Sequence, residues 1–307
     1  MLTPIKKGRR FRYPPQWCKF AVKDDVRVSE NPPVPTEKLP VFTPDFNMAE
    51  PYAVWFGHSS LLICMGGKRI LIDPVFSKRA SPVSFAGPKR FTAPSVGIGE
   101  LPQIDAVLIT HDHYDHLDCP TIKELNGKVK RYFVPVGVDK ILKRWDIPDK
   151  KIIPLSWWDS ENMGDFEITC TPSRHFSGRG LFSQNTTLWC SWVMRFGDFR
   201  IFASGDGSFG CHFEAIHKRF GDFNFAFMEC GQYNKRWHSS HLYPEESAIA
   251  AKAIGAEAAV PIHWGAFVLS DHGWDDPPKR FRRKAEEIGL NVVIPNICES
   301  FSLADRA

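Results

Sequence analysis

The chain has 307 residues, 43% hydrophobic and 24% charged, with a formal net charge of +4. These values exclude a disordered or repetitive polymer and allow a large core in one or two lobes. The positive balance is too small to indicate a nucleic-acid-binding protein, so no nucleic-acid partner is expected.

Eight cysteines (18, 64, 119, 170, 190, 211, 230 and 298) show no CxxC spacing. They fit mostly buried free thiols in a reducing compartment better than a disulfide framework. No apolar run has the length of a membrane span, and no apolar stretch follows Lys6, Lys7, Arg9 and Arg10 as it would in a secretory leader. A cytoplasmic protein is the expectation.

Residues 1–48 are basic and Pro-rich, with Pro14-Pro15, Pro32-Pro33 and Pro35, and lack periodicity. They read as an irregular arm over a body of residues 49–307. Arg9, Arg10 and Arg12 suit an anionic lipid surface as well as water, so peripheral membrane contact is one expectation. A homodimer is compatible with the sequence.

From Tyr52 the pattern changes. Residues 53–56 and 60–64 read as strands, and Gly66-Gly67 turns the chain into a third strand that ends at Asp73-Pro74. A carboxylate there can orient a metal ligand from behind. Between the first two strands, His58 either faces a site or is a satisfied buried histidine. Residues 74–103 form a long Pro-, Gly- and Ser-rich loop whose pairs Lys78-Arg79 and Lys89-Arg90 could receive a phosphate.

The run 104–109 reads as a buried strand, and Thr110-His111-Asp112-His113-Tyr114-Asp115-His116-Leu117-Asp118 follows it. In extended backbone His111, His113 and Asp115 share one side, and His116 turns across as a helix begins. This density of imidazole and carboxylate suits one divalent metal, with the Asp-His pair suiting a second.

Beyond it, helices are expected at 120–127 and 137–145, with strands at 131–134, 152–155 and 166–170. Two more strands, 188–194 and 199–203, flank the Gly197-Asp198 turn. Helices 211–219, 244–254 and 278–288 then alternate with strands 223–228, 258–262 and 291–294, in α/β style. His175, Asp206 and His263 all fall just after predicted strands, as the opening cluster does. Asp206 sits between Gly205 and Gly207, which let the backbone approach an ion. Seven ligands suffice for two metals that share one carboxylate.

The motif His-x-His-x-Asp-His at 111–116, followed by His175, Asp206 and His263, resembles that of the metallo-β-lactamase superfamily across most of residues 52–300. The resemblance implies an αββα sandwich with two mixed β-sheets flanked by helices, making residues 49–307 a hydrolase domain of that type. It implies that His111, His113 and His175 bind one metal, that Asp115, His116 and His263 bind another, and that Asp206 bridges them. Asp73 matches a strand-end aspartate with a supporting role.

Segments outside the motif are more specific. Trp55-Phe56-Gly57-His58, residues 73–82, Gly87-Pro88-Lys89-Arg90-Phe91, residues 101–107 and Lys218-Arg219-Phe220-Gly221 look like N-acyl-phosphatidylethanolamine-hydrolysing phospholipase D, as does Ile262-His263-Trp264-Gly265. His241 to Glu246 matches it too, and is shared with lactonases acting on ascorbate phosphate. Residues 232–237 and 176–180 depart from the phospholipase pattern.

By this resemblance the expected activity is a dinuclear zinc phosphodiesterase of phospholipase D type, with iron or manganese as other metals. Two such ions make a shared water nucleophilic near neutral pH. Two Zn²⁺ less two carboxylates and one hydroxide leave roughly one positive charge, which favours a phospholipid or other anionic substrate. Asp115 or Asp206 is expected to orient the nucleophile. His241 is expected to contact the phosphoryl group or protonate the leaving group, and His58 and Tyr233 are candidate substrate contacts. The alternative is a lactonase or other ester or amide hydrolase acting on a small metabolite. A third reading is a metal-binding scaffold without activity.

Overall fold

The apolar runs after Tyr52 build one sheet and those after Ser160 build another. The computed structural model describes residues 2–14, 20–22, 31–180 and 182–304. Pro15 and Cys18, parts of the arm and of the thiol set, lie outside the described residues, as do 1, 16, 17, 19, 23–30, 181 and 305–307.

In chain order, strands β1 (Ile5–Lys7), β2 (Arg10–Arg12), β3 (Tyr52–Trp55), β4 (Leu61–Met65), β5 (Lys68–Ile72) and β6 (Ile104–Leu108) lead to helix α1 (Cys119–Leu125). Next come β7 (Val129–Pro135), α2 (Asp139–Arg144), β8 (Ile152–Leu155), β9 (Ser160–Met163), β10 (Phe166–Thr171), β11 (Ser191–Phe196) and β12 (Phe199–Ala203). The chain continues through α3 (His212–Phe220), β13 (Phe223–Glu229), α4 (Pro244–Ala253), β14 (Ala256–Ile262), α5 (Asp276–Glu287), β15 (Asn291–Val292) and β16 (Ser300–Ser302).

The first sheet has the order β16-β3-β4-β5-β6-β7-β8 and the second β15-β14-β13-β12-β11-β10-β9, seven strands each. Each is mixed. Hairpins make β3-β4-β5 antiparallel, whereas β5-β6-β7-β8 run parallel. In the second sheet β9 to β12 alternate in direction and β12 to β15 are parallel. Every residue of β3 and β4 is buried, the pattern of strands covered on both faces, which explains why they read as unbroken apolar runs. Helix α2 packs against β8, while α4 and α5 cover β13, β14 and β15, completing the expected αββα layering.

Direction is what builds the site. Strands β10, β12, β13 and β14 point the same way, as do β5 and β6, so their carboxyl ends gather on one edge. The two sheets are tied there by backbone: Cys190 N donates to Thr110 O at 2.9 Å, and the Trp192 indole donates to Ile109 O at 3.2 Å.

Three readings of the chain change. The segment taken as irregular contains the β1–β2 hairpin, too short and too exposed to leave a period. His113 to His116 form a turn closed by Leu117 N on His113 O at 2.8 Å, and helix starts only at Cys119, where Asp118 caps it. The arginines of the basic pairs in the 74–103 loop serve structure, while Lys78 and Lys89 stay exposed. Buried Arg90 donates to the carbonyls of Val75, Ser77 and Thr92 and stacks on Phe267, and Arg79 donates to those of Ser84 and Gly87. All the described cysteines are free, and five of them are buried.

Candidate metal centre

Four histidines of the cluster, His111, His116, His175 and His263, have one ring nitrogen engaged by the protein and the other turned inward. His116 Nδ1 meets Asp73 Oδ2 at 2.7 Å, and Asp73 is itself fixed by the Thr110 amide and hydroxyl at 2.8 and 2.6 Å. His111 Nδ1 lies 2.9 Å from Thr110 Oγ1, His175 Nδ1 donates to Ser240 O at 2.9 Å, and His263 Nδ1 lies 2.8 Å from Ser59 Oγ. Such partners fix tautomer and ring angle, which is the usual environment of metal-binding imidazoles.

The inward atoms form two groups. His111 Nε2 is 2.9 Å from His113 Nδ1 and 3.8 Å from Asp206 Oδ2, and His175 Nε2 is 3.3 Å from His113 Nδ1 and 3.8 Å from Asp206 Oδ2. A tetrahedral metal with bonds of ~2.0–2.1 Å sets its ligands about 3.4 Å apart, so these four donors match one ion. The second group comprises Asp115, His116 and His263, joined by His58. His116 Nε2 is 3.4 Å from Asp115 Oδ2 and 3.1 Å from Asp206 Oδ2, so Asp206 touches both groups.

Known proteins share this chain's sequence pattern and its fold. The sequence profile described as Beta-lactamase superfamily domain matches residues 68–264. The chain belongs to the metallo-β-lactamase superfamily. Its relatives in that superfamily include the uncharacterized protein Rv0906 of Mycobacterium tuberculosis, 38% identical over 85% of this chain and 72% of the relative. N-acyl-phosphatidylethanolamine-hydrolyzing phospholipase D 1 of Caenorhabditis elegans is 31% identical over 87% of this chain and 83% of its own length. A metal-dependent hydrolase of Veillonella parvula, titled as possible, shares the fold, with a TM-score of 0.65 at 16% identity over 83% of this chain and all of that one.

The superfamily implies divalent metal, and the residues fit it. Among the described residues, buried His116 Nε2, His263 Nε2 and Asp206 Oδ1 make no well-formed hydrogen bond, although His116 Nε2 lies 3.1 Å from Asp206 Oδ2 and Asp206 Oδ1 lies 3.3 Å from His263 Nδ1, a costly arrangement for polar atoms unless a ligand takes them. Charge agrees with geometry. Burial opposes ionisation of Asp115 and Asp206, yet the neighbouring histidines, His116 foremost, hold both carboxyls well below the usual range. Burial opposes protonation of His116 too, but Asp206, Asp115 and Asp73 raise it well above the ordinary histidine value. The remaining imidazoles of the two groups are kept neutral, mainly by burial, which is the state a metal ligand needs.

All seven residues singled out as ligands therefore meet at one place, with His58 beside them. Its Nε2 lies 2.8 Å from Asp115 Oδ2, its ring is buried, and its backbone is left-handed at φ 55°. His263 is also left-handed, at φ 71°; its N donates to His58 O at 2.8 Å and His58 N donates to Trp264 O at 2.7 Å across the gap between sheets. His241 lines a cavity of about 320 Å³ next to Asp206, with Phe176, Trp237 and Leu269 as apolar walls and Gln232 and Ser240 as polar ones. Tyr233 is not brought to this cavity. It is buried, stacked on His272, and its hydroxyl is bound to Asp276 and Arg280.

One acidic residue escaped sequence reasoning. Glu229, at the end of β13, is 1% exposed and its Oε2 lies 3.2 Å from His241 Nδ1. With Asp206, His241 and His263 it makes a third cluster of converging donors. Burial pushes Glu229 up, and although burial opposes it the Glu229 carboxylate raises His241, so the pair favours holding a proton between them. The available signal was position: Glu229 closes an apolar run at a strand end, as Asp73 does.

Proposed function

We propose that the protein is a dinuclear zinc-dependent phosphodiesterase of phospholipase D type, acting on N-acyl-phosphatidylethanolamine-like lipids. The observation that carries this reading is Asp206, common to both donor groups and to the wall of a cavity that His241 overlooks. An oxyanion entering that cavity meets both groups at once. Kinship over most of the chain with a phospholipase of that specificity supports the lipid. A set of five histidines and two aspartates suits zinc best, with iron or manganese as the other candidates.

Bound metals would supply Lewis acidity and a water acidic enough to attack phosphorus at neutral pH. The chain supplies the rest. Asp115, fixed by His58 and kept ionised, is placed to accept a hydrogen bond from the attacking water and so to aim it. His241, raised to about 9 by the Glu229 carboxylate against the effect of burial, is placed to donate to the phosphoryl group or to the departing alcohol. Phe176, Trp237 and Leu269 limit water and give the amide-linked acyl group an apolar rim. A cavity of about 320 Å³ is at the small end of ligand pockets, so it takes the headgroup phosphodiester while the long chains remain outside.

A bilayer substrate needs a surface that meets the bilayer. The loop that carries Phe176 continues to Arg179 and to Phe182, which is 90% exposed. Arg179 and Phe182 line a cleft with Lys6, Arg9, Lys140 and Arg144 beside the motif, suited to anionic headgroups.

The test is direct. Zinc-loaded protein, incubated with vesicles containing an N-acyl-phosphatidylethanolamine, should release phosphatidic acid and the N-acylethanolamine. A second reading, an ester or lactone hydrolase acting on a small metabolite, is favoured by the cavity size alone. Turnover of small phosphorylated lactones or esters with no phosphatidic acid from the lipid would replace the first reading by the second.

A further inference from the structure

We propose that the basic cleft beside the metal motif is a second binding site, selective for phosphate esters that carry free hydroxyl groups, such as the phosphoglycerol unit. Anionic headgroups in general need only its charged rim. The selectivity comes from its floor, and it stands or falls independently of the phosphodiesterase activity.

The cleft has a volume of about 960 Å³, in the range of ligand pockets, and shares no described lining residue with the metal cavity. Its walls are fixed to one another. Phe11 N donates to Asn185 O at 2.7 Å, joining the β1–β2 hairpin to the loop that follows His175. Arg179 donates to Asp112 O and to Leu117 O, both at 2.7 Å, joining that loop to the motif. Gly137, at φ +100°, brings the approach to α2 against Thr187, where a Cβ would lie 2.9 Å from Thr187 Cα. The site is therefore formed before a ligand arrives, which lowers the cost of binding.

Two side chains that line the cleft are not accounted for by the fold. Asp112 is 1% exposed, and its Oδ1 accepts from Gly178 N at 2.7 Å, but its Oδ2 has no hydrogen-bond partner among the described residues. Thr187 is 4% exposed, and its Oγ1 is likewise without a partner among them. Burying such atoms unpaired is costly, so each calls for an occupant of the cleft. A carboxylate oxygen can only accept, whereas a threonine hydroxyl both donates and accepts. Hydroxyl groups on a ligand answer both. An ammonium group would also donate to Asp112, but Lys6, Arg9, Lys140 and Arg144 stand exposed around the cleft and repel it. The same cations attract a phosphate. Phosphate and hydroxyls together describe a phosphorylated polyol, whether a free metabolite or the headgroup of a lipid. Asp112, the residue between two of the metal-binding histidines that takes no part in their site, thereby gains a role.

Methyl correlation spectra of the zinc-loaded protein tell the two cavities apart, because Ile141 lines the cleft and Leu269 the metal cavity. Added sn-glycerol 3-phosphate should shift the Ile141 methyl saturably, with a Kd about tenfold below that of propyl phosphate, which lacks the hydroxyls. Thr187→Val deletes the hydroxyl at nearly constant shape. It should bring the two Kd values to within about threefold of each other while leaving that for propyl phosphate unchanged. The variant should melt no lower than wild type, because the hydroxyl it removes bonds to nothing in the protein. An unmoved Ile141 methyl, equal affinity of wild type for the two phosphates, or a variant that keeps the preference or melts lower would overturn the proposal. Vesicles identify the source. Phosphatidylglycerol vesicles bound more tightly than phosphatidylethanol vesicles of equal charge, with the difference lost in Thr187→Val, support a lipid headgroup. Equal binding to both, with the free ester still selective, supports a soluble metabolite.

Discussion

At the scale of single residues, hydrogen-bond partners behind the ligands govern the centre as much as the ligands do. Asp73 accepts from Thr110 twice and meets His116 Nδ1, so Asp73→Asn disturbs His116 while leaving all seven donors in place. Affinity of the second site should fall ~10–100-fold, read by competition with a chromophoric zinc chelator. Unchanged affinity would mean that His116 is oriented by its burial alone. Charge makes a further prediction for chelator-treated protein. His58, His111, His113, His175 and His263 have folded pKa values below 6.5, chiefly from burial. Their contribution is fully present above pH ~6.5 and is lost as pH falls below it, because the unfolded chain then binds protons that the folded one refuses. Buried Asp73 and Glu229, raised above their ordinary values, act oppositely in this window but are fewer. His116, raised instead, gives stability that is complete below pH ~6.5 and declines only as pH rises through its folded value. Urea melts of metal-free protein should therefore show stability falling from pH 6.5 to 5, and zinc-loaded protein should show a shallower fall. The convergence of the seven candidate donors was legible because each follows a strand in sequence. Glu229 was not, because a lone carboxylate has no spacing partner and its role depends on His241, twelve residues further along.

At the scale of elements, the turns after the strands do the placing, and one of them shows why a glycine stands there. Gly205 has φ +58°, and a Cβ on it would lie 2.7 Å from Cys190 O and 2.9 Å from the Thr110 side chain. The glycine beside Asp206 was read as giving an ion room; what it admits is the backbone entering the neighbouring strand β11 of its own sheet and the Thr110 side chain of the other sheet. Gly205→Ala should cost about 1–2 kcal/mol for the left-handed backbone alone, plus the clash, and should reduce bound zinc by displacing Asp206. Thermal melts with zinc analysis check it, and a fully loaded variant of normal stability would refute it. The cleft between the hairpin, α2 and the 178–187 loop makes the second element-scale prediction. Binding to anionic vesicles should weaken with salt, and Lys140→Glu with Arg144→Glu should weaken it by at least about tenfold in sedimentation assays. Equal binding to neutral vesicles would remove the cleft from the proposal. Most buried strands were legible from apolar runs. The hairpin β1–β2, the partly exposed β9 and the short β16 were not, because three or four half-exposed residues carry no period and their pairing is decided by the sheet edge they complete.

At the scale of the whole molecule, the donors come from both layers, so metal binding is also a cross-link. The first sheet contributes His111, His113, Asp115 and His116 after β6, while the second contributes His175 after β10, Asp206 after β12 and His263 after β14. Each group contains donors from both sheets, and a metal there adds to the direct ties at this edge, such as Cys190 to Thr110 and His263 to His58. Metal that binds only the folded state stabilises it by RT ln(1 + [L]/Kd), about 4 kcal/mol at a thousandfold excess over Kd. Removing zinc by chelation should therefore lower the melting temperature, and added zinc should restore it in a concentration-dependent way. The loss should also be local. Hydrogen exchange in the metal-free protein should rise at 109–116, 172–176, 204–207 and 263–265, and remain slow in β4 and β13, whose amides lie in the sheet interiors. His175→Ala and His263→Ala each remove the second sheet's histidine from one group while Asp206 persists. Each variant should recover part of the zinc-dependent rise in melting temperature, and the double variant almost none. If either single variant abolishes the whole rise, the two groups act as one cooperative site and the sheets are joined by a single event.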